Sequence, residues 1–452
     1  MNRTLRIALF ALLAVVLIAL YLYGANVQLR TNTDHDAVDQ GAYINYAKNL
    51  HRSHYTYIGG RARMPLYPLL LSVLYVHDPG ATEQKIFRGG KWLGVALSLF
   101  VLAAILPIFR RYFPWHQSLN LLLILAFGVF VFRAAWLQCE LLFYLLNLVA
   151  FWLASRLLVR PGWKLGIVAG AAFALAYLTK ASVLPGLALF LFCVALRAIT
   201  ALCGAARARS LKYLHDQGFC SAALSALVCL LFFLGVIFPY IHNSKRIYGH
   251  YFYNVSSTFY MWYDSWDEVA RGTRAFGDRE GWPRMPADQI PSMQKYLREH
   301  TPQQMLEREW HGLKIMIQAH THESYGYVKY VMLYLLIALA TCMLTGRSAL
   351  AMVRKHPLVF VFWVAWPLMH IALYAWFAPV SNARRFLLAQ FMPFMFTAAY
   401  AIHRQGAELP PLLLWGRRAQ VSDLFSVFLS LLVIVDIYWS LTYRLATVWG
   451  GN

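Results

Sequence analysis

Three carboxylates stand within six positions, at Asp34, Asp36 and Asp39, with His35 between the first two. Acids this dense suit two kinds of chemistry. A carboxylate beside a nucleophile takes its proton as a general base. An Asp-x-Asp triplet such as Asp34-His35-Asp36 is a candidate divalent-metal site, with Asp34 and Asp36 as ligands. The plain alternative is helix capping, because Asp at a helix N-terminus satisfies free backbone amides. Capping takes one such residue, not three. Downstream, Tyr43, Tyr46, Ala47 and Leu50 recur at helical spacing and predict a surface helix with its aromatic face toward a membrane.

Cations that suit a phosphate leaving group follow at intervals. Arg61 and Arg63 precede a helix-breaking Pro65-Leu66-Tyr67-Pro68 run. Lys180 sits in a turn of a few residues, and Arg384 and Arg385 open a late apolar run. A guanidinium grips phosphate with two parallel hydrogen bonds. Each has a structural alternative: headgroup contact for the arginines, snorkelling for Lys180. Glu140, after another short turn, is costly at membrane depth and is a second candidate acid, or a partner of Arg133. His320-Thr321-His322-Glu323 lacks the spacing of a zinc helix and reads as a solvated loop. Asp436, inside an apolar run without an evident basic partner, reads as a residue hydrogen-bonded to a neighbouring helix.

The elements that must position these groups are membrane helices. The 452 residues are 60% apolar and only 13% charged, about half the charge of a soluble domain. Mean hydropathy is +0.49. Soluble and disordered classes are both excluded. Hydropathy gives about eleven spans, near 5–25, 91–109, 118–134, 141–158, 165–179, 181–197, 220–240, 326–345, 358–377, 386–403 and 423–443. The first apolar run, Ile7 to Leu22, is longer than a signal-peptide core and lacks a small-x-small cleavage site, so it reads as an anchor. With the N-terminus inside, the short inner loops hold most of the Lys and Arg, which places the formal charge of +21 in cytoplasmic loops rather than on a nucleic acid. Arg133, Lys180, Arg384 and Arg385 then break that bias on the outer side. Two long polar segments, 27–90 and 241–325, fall outside. The chain divides into an N-terminal membrane module (1–240) with outer loop 27–90, an outer segment (241–325) with helices near Met293–Arg298 and Gln303–Gln318, and C-terminal spans (326–452). Six cysteines without CxxC spacing read as thiols buried in apolar surroundings.

Five local patterns, in order and on one face, carry a resemblance. Asp39-Gln40-Gly41-Ala42-Tyr43 with the Arg/Pro/Tyr/Pro segment resembles the first outer loop of GT-C glycosyltransferases, such as protein O-mannosyltransferases and the lipid A aminoarabinose transferase. Gln40 stands where that family usually has Glu. Trp136 to Phe143 with Glu140 looks like the family's second outer turn, and Leu178-Thr179-Lys180-Ala181-Ser182 like its Thr-Lys turn. Pro239-Tyr240-Ile241-His242-Asn243 looks like the start of its outer domain, with His242 where Arg is common. Asn382-Ala383-Arg384-Arg385-Phe386 with Pro393 looks like its late Arg-Tyr segment. The likeness covers 1–250 well and the rest as architecture.

The resemblance implies an all-α polytopic GT-C fold with amphipathic helices in the first outer loop. It implies transfer of a sugar from a polyprenyl-phosphate donor to a glycan, lipid or protein of the envelope, with inversion. Asp39 would be the base, with Asp36 and Glu140 as further catalytic acids. Lys180, Arg384, Arg385 and Arg63 would hold the donor phosphate, and Tyr43, Tyr67, His242 and Asn243 the substrate. No cofactor is fixed, and a divalent metal stays open. The expected site is a bacterial inner membrane, with the N-terminus cytoplasmic and the reaction facing the periplasm. A lipid-linked sugar flippase and an envelope polysaccharide polymerase or ligase are the rival readings. Transporters tend to show repeated halves, and no internal repeat is visible here.

Overall fold

The computed structural model describes residues 3–447 apart from 58, 211–217, 323–325, 382–383 and 415–416. The side chains of 3, 6, 319–322, 384–385, 414 and 417 also lie outside that description. The architecture is all-α, with one two-stranded hairpin pairing Leu412–Leu414 with Arg417–Ala419.

Helices of ten or more residues are α1 (Arg3–Thr31), α2 (Gln40–Arg52), α3 (Leu66–His77), α4 (Glu83–Arg110), α5 (Trp115–Leu125), α6 (Glu140–Val159), α7 (Trp163–Thr179) and α8 (Leu184–Ala208). They continue with α9 (Phe219–Tyr248), α10 (Pro302–His322), α11 (Val328–Leu344), α12 (Gly346–Lys355), α13 (Pro357–Phe377), α14 (Arg384–Gly406) and α15 (Val421–Trp439). Among the described residues nine helical stretches are long and apolar enough to cross a membrane: α1, α4, α5 with the turns that extend it to Arg133, α6, α8, α9, α13, α14 and α15. The bent pair α11–α12, angled at 100°, makes a tenth. The eleventh expected span is α7, which is apolar but has 17 residues. This is a polytopic all-α membrane protein.

α6 forms the centre. Its apolar residues run around the whole circumference, so no face is suited to water. It is buried from Leu141 to Leu158 against α4, α7 and α14. α7 and α9 pack almost backbone to backbone: a Cβ on Gly166 or Gly170 would fall 2.6 or 2.4 Å from the Ser225 or Cys229 carbonyl oxygen. Small residues at four-residue spacing permit that approach.

Four expectations need correction. The span expected to end near 240 continues through Pro239 to Tyr248 and stops where Gly249 turns left-handed, φ +77°. Hydropathy marks where polar residues begin, whereas a left-handed glycine ends the helix. The apolar face of α2 does not lie on a membrane. Tyr43, Ile44 and Ala47 are buried against Tyr67, Leu71 and Tyr75 of α3 and Phe87 of α4, and Leu50 is buried as well. Asp436 has two basic partners: Lys329 pairs with it, Arg444 lies 3.0 Å away, and Tyr330 donates to its Oδ2 at 2.8 Å. Lys329 is 107 residues upstream, so only the fold brings it there. Of the cysteines, Cys139, Cys193 and Cys229 are buried, but Cys203 and Cys220 are exposed.

The two long loops dock on each other at one end of the bundle, the loop end. Val255 N–H donates to Arg61 O at 3.3 Å, and Tyr248 hydroxyl to Gly59 O at 3.4 Å.

Candidate functional site

Asp39 stands at the N-cap position of α2, yet its side chain makes no capping bond. It turns instead to Arg63, with which it forms an ion pair. The residue before it, Val38, has φ +59°, which is uncommon for a β-branched side chain and marks a backbone held by its surroundings. Behind it, buried Gln40 exchanges two side-chain hydrogen bonds with Asn32 (2.8 and 3.0 Å), donates to Asp34 O (2.9 Å) and accepts from Leu137 N–H (3.1 Å). Gln40 thereby ties the head of α2 to the turn before α6. A Glu there could accept but not donate, so the departure from the family pattern has a structural reason.

The two arginines of the Arg-x-Arg segment diverge. Arg61 is 1% exposed, stacks 3.8 Å over the Tyr240 ring and donates to Tyr240 O at 3.2 Å. Its side chain ties the first long loop to α9. Arg63 faces a cavity of about 390 Å³, within the size range of small-molecule sites.

Glu140 opens α6 on the far side of that cavity, and Lys180 ends α7. Lys180 Nζ lies 3.2 Å from Glu140 Oε1 and 3.7 Å over the Phe386 ring. The cavity thus holds two carboxylate–cation pairs, Asp39–Arg63 and Glu140–Lys180. Of the expected acids, Asp39 and Glu140 are each matched to an expected phosphate ligand, and Arg133 donates to Gln138 Oε1 at 3.0 Å.

The remaining wall is largely apolar. Met64, Leu184 and Pro185 contribute from the first loop and the head of α8, Leu373 and Phe377 from the last turns of α13, and Phe386 from α14. Tyr43 also lines it. Burial holds the Tyr43 phenol well above its ordinary pKa, with Cys139, Glu140 and Asp39 adding to the effect against Arg63. The phenol therefore stays protonated and is no base.

Several expected residues do not line the cavity. Tyr67 is buried edge-on against Tyr43, ring centroids 5.1 Å apart. His242 points outward and stacks on Phe238 of its own helix, and Asn243 follows it on α9. Asp34 and Asp36 lie outside too. Their carboxylates and His35 are within 4.8 Å of one another. Asp34 Oδ1 accepts from Asp36 N–H at 2.8 Å, and His35 Nδ1 lies 3.0 Å from Asp36 Oδ1. The Asp36 side chain is 75% exposed. The side chains of Arg384 and Arg385, and the whole of Asn382 and Ala383, lie outside the described residues, as does the His320-Thr321-His322-Glu323 side-chain group.

Sequence reasoning missed Asn254, Ser256 and Ser257, which bring polar atoms from the long second loop to the cavity rim. Asn254 Oδ1 accepts from Ser256 N–H (3.1 Å) and Ser257 N–H (3.3 Å), capping the short helix Val255–Thr258. The Asn-x-Ser-Ser run was a legible capping signal, but nothing in it told which wall it would reach.

No protein-family profile and no curated protein matches the chain. Among solved structures it is similar to the oligosaccharyltransferase of Archaeoglobus fulgidus in the apo form, with 11% identity over 97% of this chain and 56% of that one and a TM-score of 0.46. It is also similar to the archaeal oligosaccharyltransferase AglB of the same organism in complex with an inhibitory peptide and a dolichol-phosphate, with 12% identity, coverages of 96% and 56%, and a TM-score of 0.47. The chain spans little more than half the length of these structures.

Proposed function

We propose that this chain is a GT-C-type membrane glycosyltransferase. It moves a sugar from a polyprenyl-phosphate donor to an envelope glycan, lipid or protein, in a bacterial inner membrane, with its loop end facing the periplasm. One observation carries the reading: Asp39, at the N-cap position but without a side-chain capping bond, faces with Arg63 a partly apolar cavity that also holds Glu140 and Lys180.

The chemistry follows from these parts. The acceptor hydroxyl or amine attacks the anomeric carbon from the side opposite the phosphate, and its proton passes to Asp39. The carbon–oxygen bond to the phosphate breaks, and polyprenyl phosphate leaves with the electron pair. A single displacement inverts the configuration. Arg63 and Lys180, with Arg384 or Arg385, balance the charge that develops on the phosphate. Glu140 holds Lys180 at the end of α7 before the phosphate arrives. The apolar wall of Leu373, Phe377 and Phe386 suits the first isoprene units. A divalent ion at Asp34 and Asp36 would sit beside this machinery, not within the cavity lining.

The test uses purified protein and a polyprenyl-phosphate sugar in liposomes. Release of polyprenyl phosphate with a glycosylated acceptor supports the reading. Movement of the intact sugar-lipid between leaflets without cleavage would replace it with a flippase.

A further inference from the structure

α10 has three faces at 100° per residue. One is packed. Arg308, Gly312 and Met316, spaced by four, lie against the end of α13: Arg308 Nε donates to Trp376 O at 3.2 Å, and Met316 is buried with Tyr374, Ala375 and Ala378. Gly312 makes the contact possible, since a Cβ there would fall 1.8 Å from Ala375 O. A second face is polar and exposed, formed by Gln303, Glu307, His311, Lys314 and Gln318.

The third face is apolar and open. Leu306, Trp310 and Ile317 are 71%, 58% and 54% exposed. Their spacing, i, i+4 and i+11, sets them within one sector of about 40°, between the packed face and the polar one. Met293 and Leu297, on the preceding short helix Met293–Glu299, are exposed at the same i, i+4 interval.

The position of α10 says what covers this stripe. α13 is a membrane-crossing helix whose exposed Phe360, Val364 and Leu368 form a four-residue line that leads to Trp376, where α10 is attached. α10 therefore sits at the depth where the acyl-chain belt ends. Trp is enriched at that boundary, and a helix with one apolar and one polar face lies along it.

We propose that α10 is an interfacial helix inserted in the phospholipid leaflet at the loop end, with Leu306 and Trp310 among the acyl chains and His311 and Glu307 among headgroups and water. The occupant is a lipid surface, not a protein. The insertion stands apart from the glycosyl-transfer reading. If that reading holds as well, α10 sets the depth of the cavity mouth, because the helix that it grips gives Leu373 and Phe377 to the wall.

The experiment places single cysteines at Leu306, Trp310, Glu307 and His311 in the full chain with Cys203 and Cys220 replaced by Ser, labels them with an environment-sensitive dye and reconstitutes the protein in phosphatidylcholine nanodiscs. Doxyl-labelled lipid should quench positions 306 and 310 several-fold more than 307 and 311, with iodide giving the reverse order. Equal iodide quenching at all four positions would overturn the proposal. So would protection of 306 and 310 from both quenchers, which would mean a second copy or another protein covers the stripe. Leu306→Cys alone, at a largely exposed position, guards against a fold lost through Trp310.

Discussion

Asp39 and Arg63 neutralise each other across the gap between the head of α2 and the turn that leads into α3. Under the proposed reaction the donor phosphate competes with Asp39 for Arg63, and Asp39 takes the acceptor proton. Asp39→Asn should then lower turnover by about 10²–10⁴-fold. Affinity for polyprenyl phosphate should be unchanged or tighter, since Arg63 loses a competitor. Asp36→Asn, outside the cavity, should stay within a few-fold of wild type. Turnover with a labelled donor, and polyprenyl-phosphate binding measured in parallel, check both halves. Normal turnover in the Asp39 variant would place the base elsewhere.

The Lys180–Glu140 pair is more deeply buried, with side chains 18% and 3% exposed. Breaking a buried ion pair by removing one member costs about 3–5 kcal/mol, whereas replacing both members is much milder. Lys180→Ala should therefore lower the thermal midpoint clearly. Lys180→Ala with Glu140→Ala should recover most of it. The double variant should still use the donor poorly, by about 1.5–3 kcal/mol in kcat/KM for a lost charge-assisted phosphate contact. Recovery of activity together with stability would reduce Lys180 to a structural role.

The contrast between these pairs and their surroundings shows what was legible in the sequence. Spans follow from runs of apolar residues, a one-dimensional signal, and all eleven expected segments are helical. Asp39 stood out in a dense acidic cluster, Arg63 before a helix-breaking proline run, Lys180 against the charge bias, and Glu140 because an acid is expensive at membrane depth. Their pairing was not legible, since Glu140–Lys180 depends on how α6 and α7 are juxtaposed and Asp39–Arg63 on how the first long loop folds back. Arg61 and Arg63, two positions apart, looked equivalent until Tyr240 claimed one of them. His242 was read into the site by its place in a motif, but helical geometry turns it outward while Tyr240, two residues earlier, faces inward. The lining contributed by Asn254 and Ser257 was illegible because small polar residues in a loop carry no address.

Gln40 offers a test of that structural reading. It donates to Asn32 Oδ1 and Asp34 O and accepts from Asn32 and the Leu137 amide, all in a buried setting. Gln40→Glu removes two donors and adds a charge. Each buried group left unsatisfied costs about 1–3 kcal/mol, so a loss of about 2–5 kcal/mol is expected. Thermal unfolding in detergent should show it. Gln40→Glu with unchanged stability and higher activity would mean that the position favours an acid here as in the resembling family.

Asp278 lies in the second long loop, fully buried, where Tyr260 donates to its Oδ1 at 3.3 Å. Loss of hydration raises its pKa above the ordinary carboxylate value, against the opposing pull of Thr273, Tyr260 and the nearby arginines. The folded state then binds a proton more tightly than the unfolded chain. Stability from this group is greatest in acid and declines as pH climbs from the ordinary carboxylate pKa through the raised one. Asp278→Asn should remove that decline, leaving the loop more protease-resistant than wild type at neutral pH and little different in acid. Limited proteolysis across pH measures it. A wild-type profile flat over the acid range would contradict the assignment.

Orientation can be read with a thiol already in the chain. Cys203 is exposed and lies near the C-terminal end of α8, in the basic stretch that the charge bias assigns to the cytoplasm. Residues 270–290 lie in the second long loop, assigned to the opposite side. An impermeant maleimide added to intact cells should label a cysteine introduced at the exposed position Trp282, with Cys203 and Cys220 replaced. Wild-type Cys203 should react only after permeabilisation. Both sites bracket α9, so a correct assignment requires the two results to be opposite. Labelling of Cys203 from outside, with protection at 282, would invert the protein. The cavity of Asp39 and Lys180 would then face the cytoplasm, where nucleotide sugars are present, and the case for a lipid-linked donor would lose its main support.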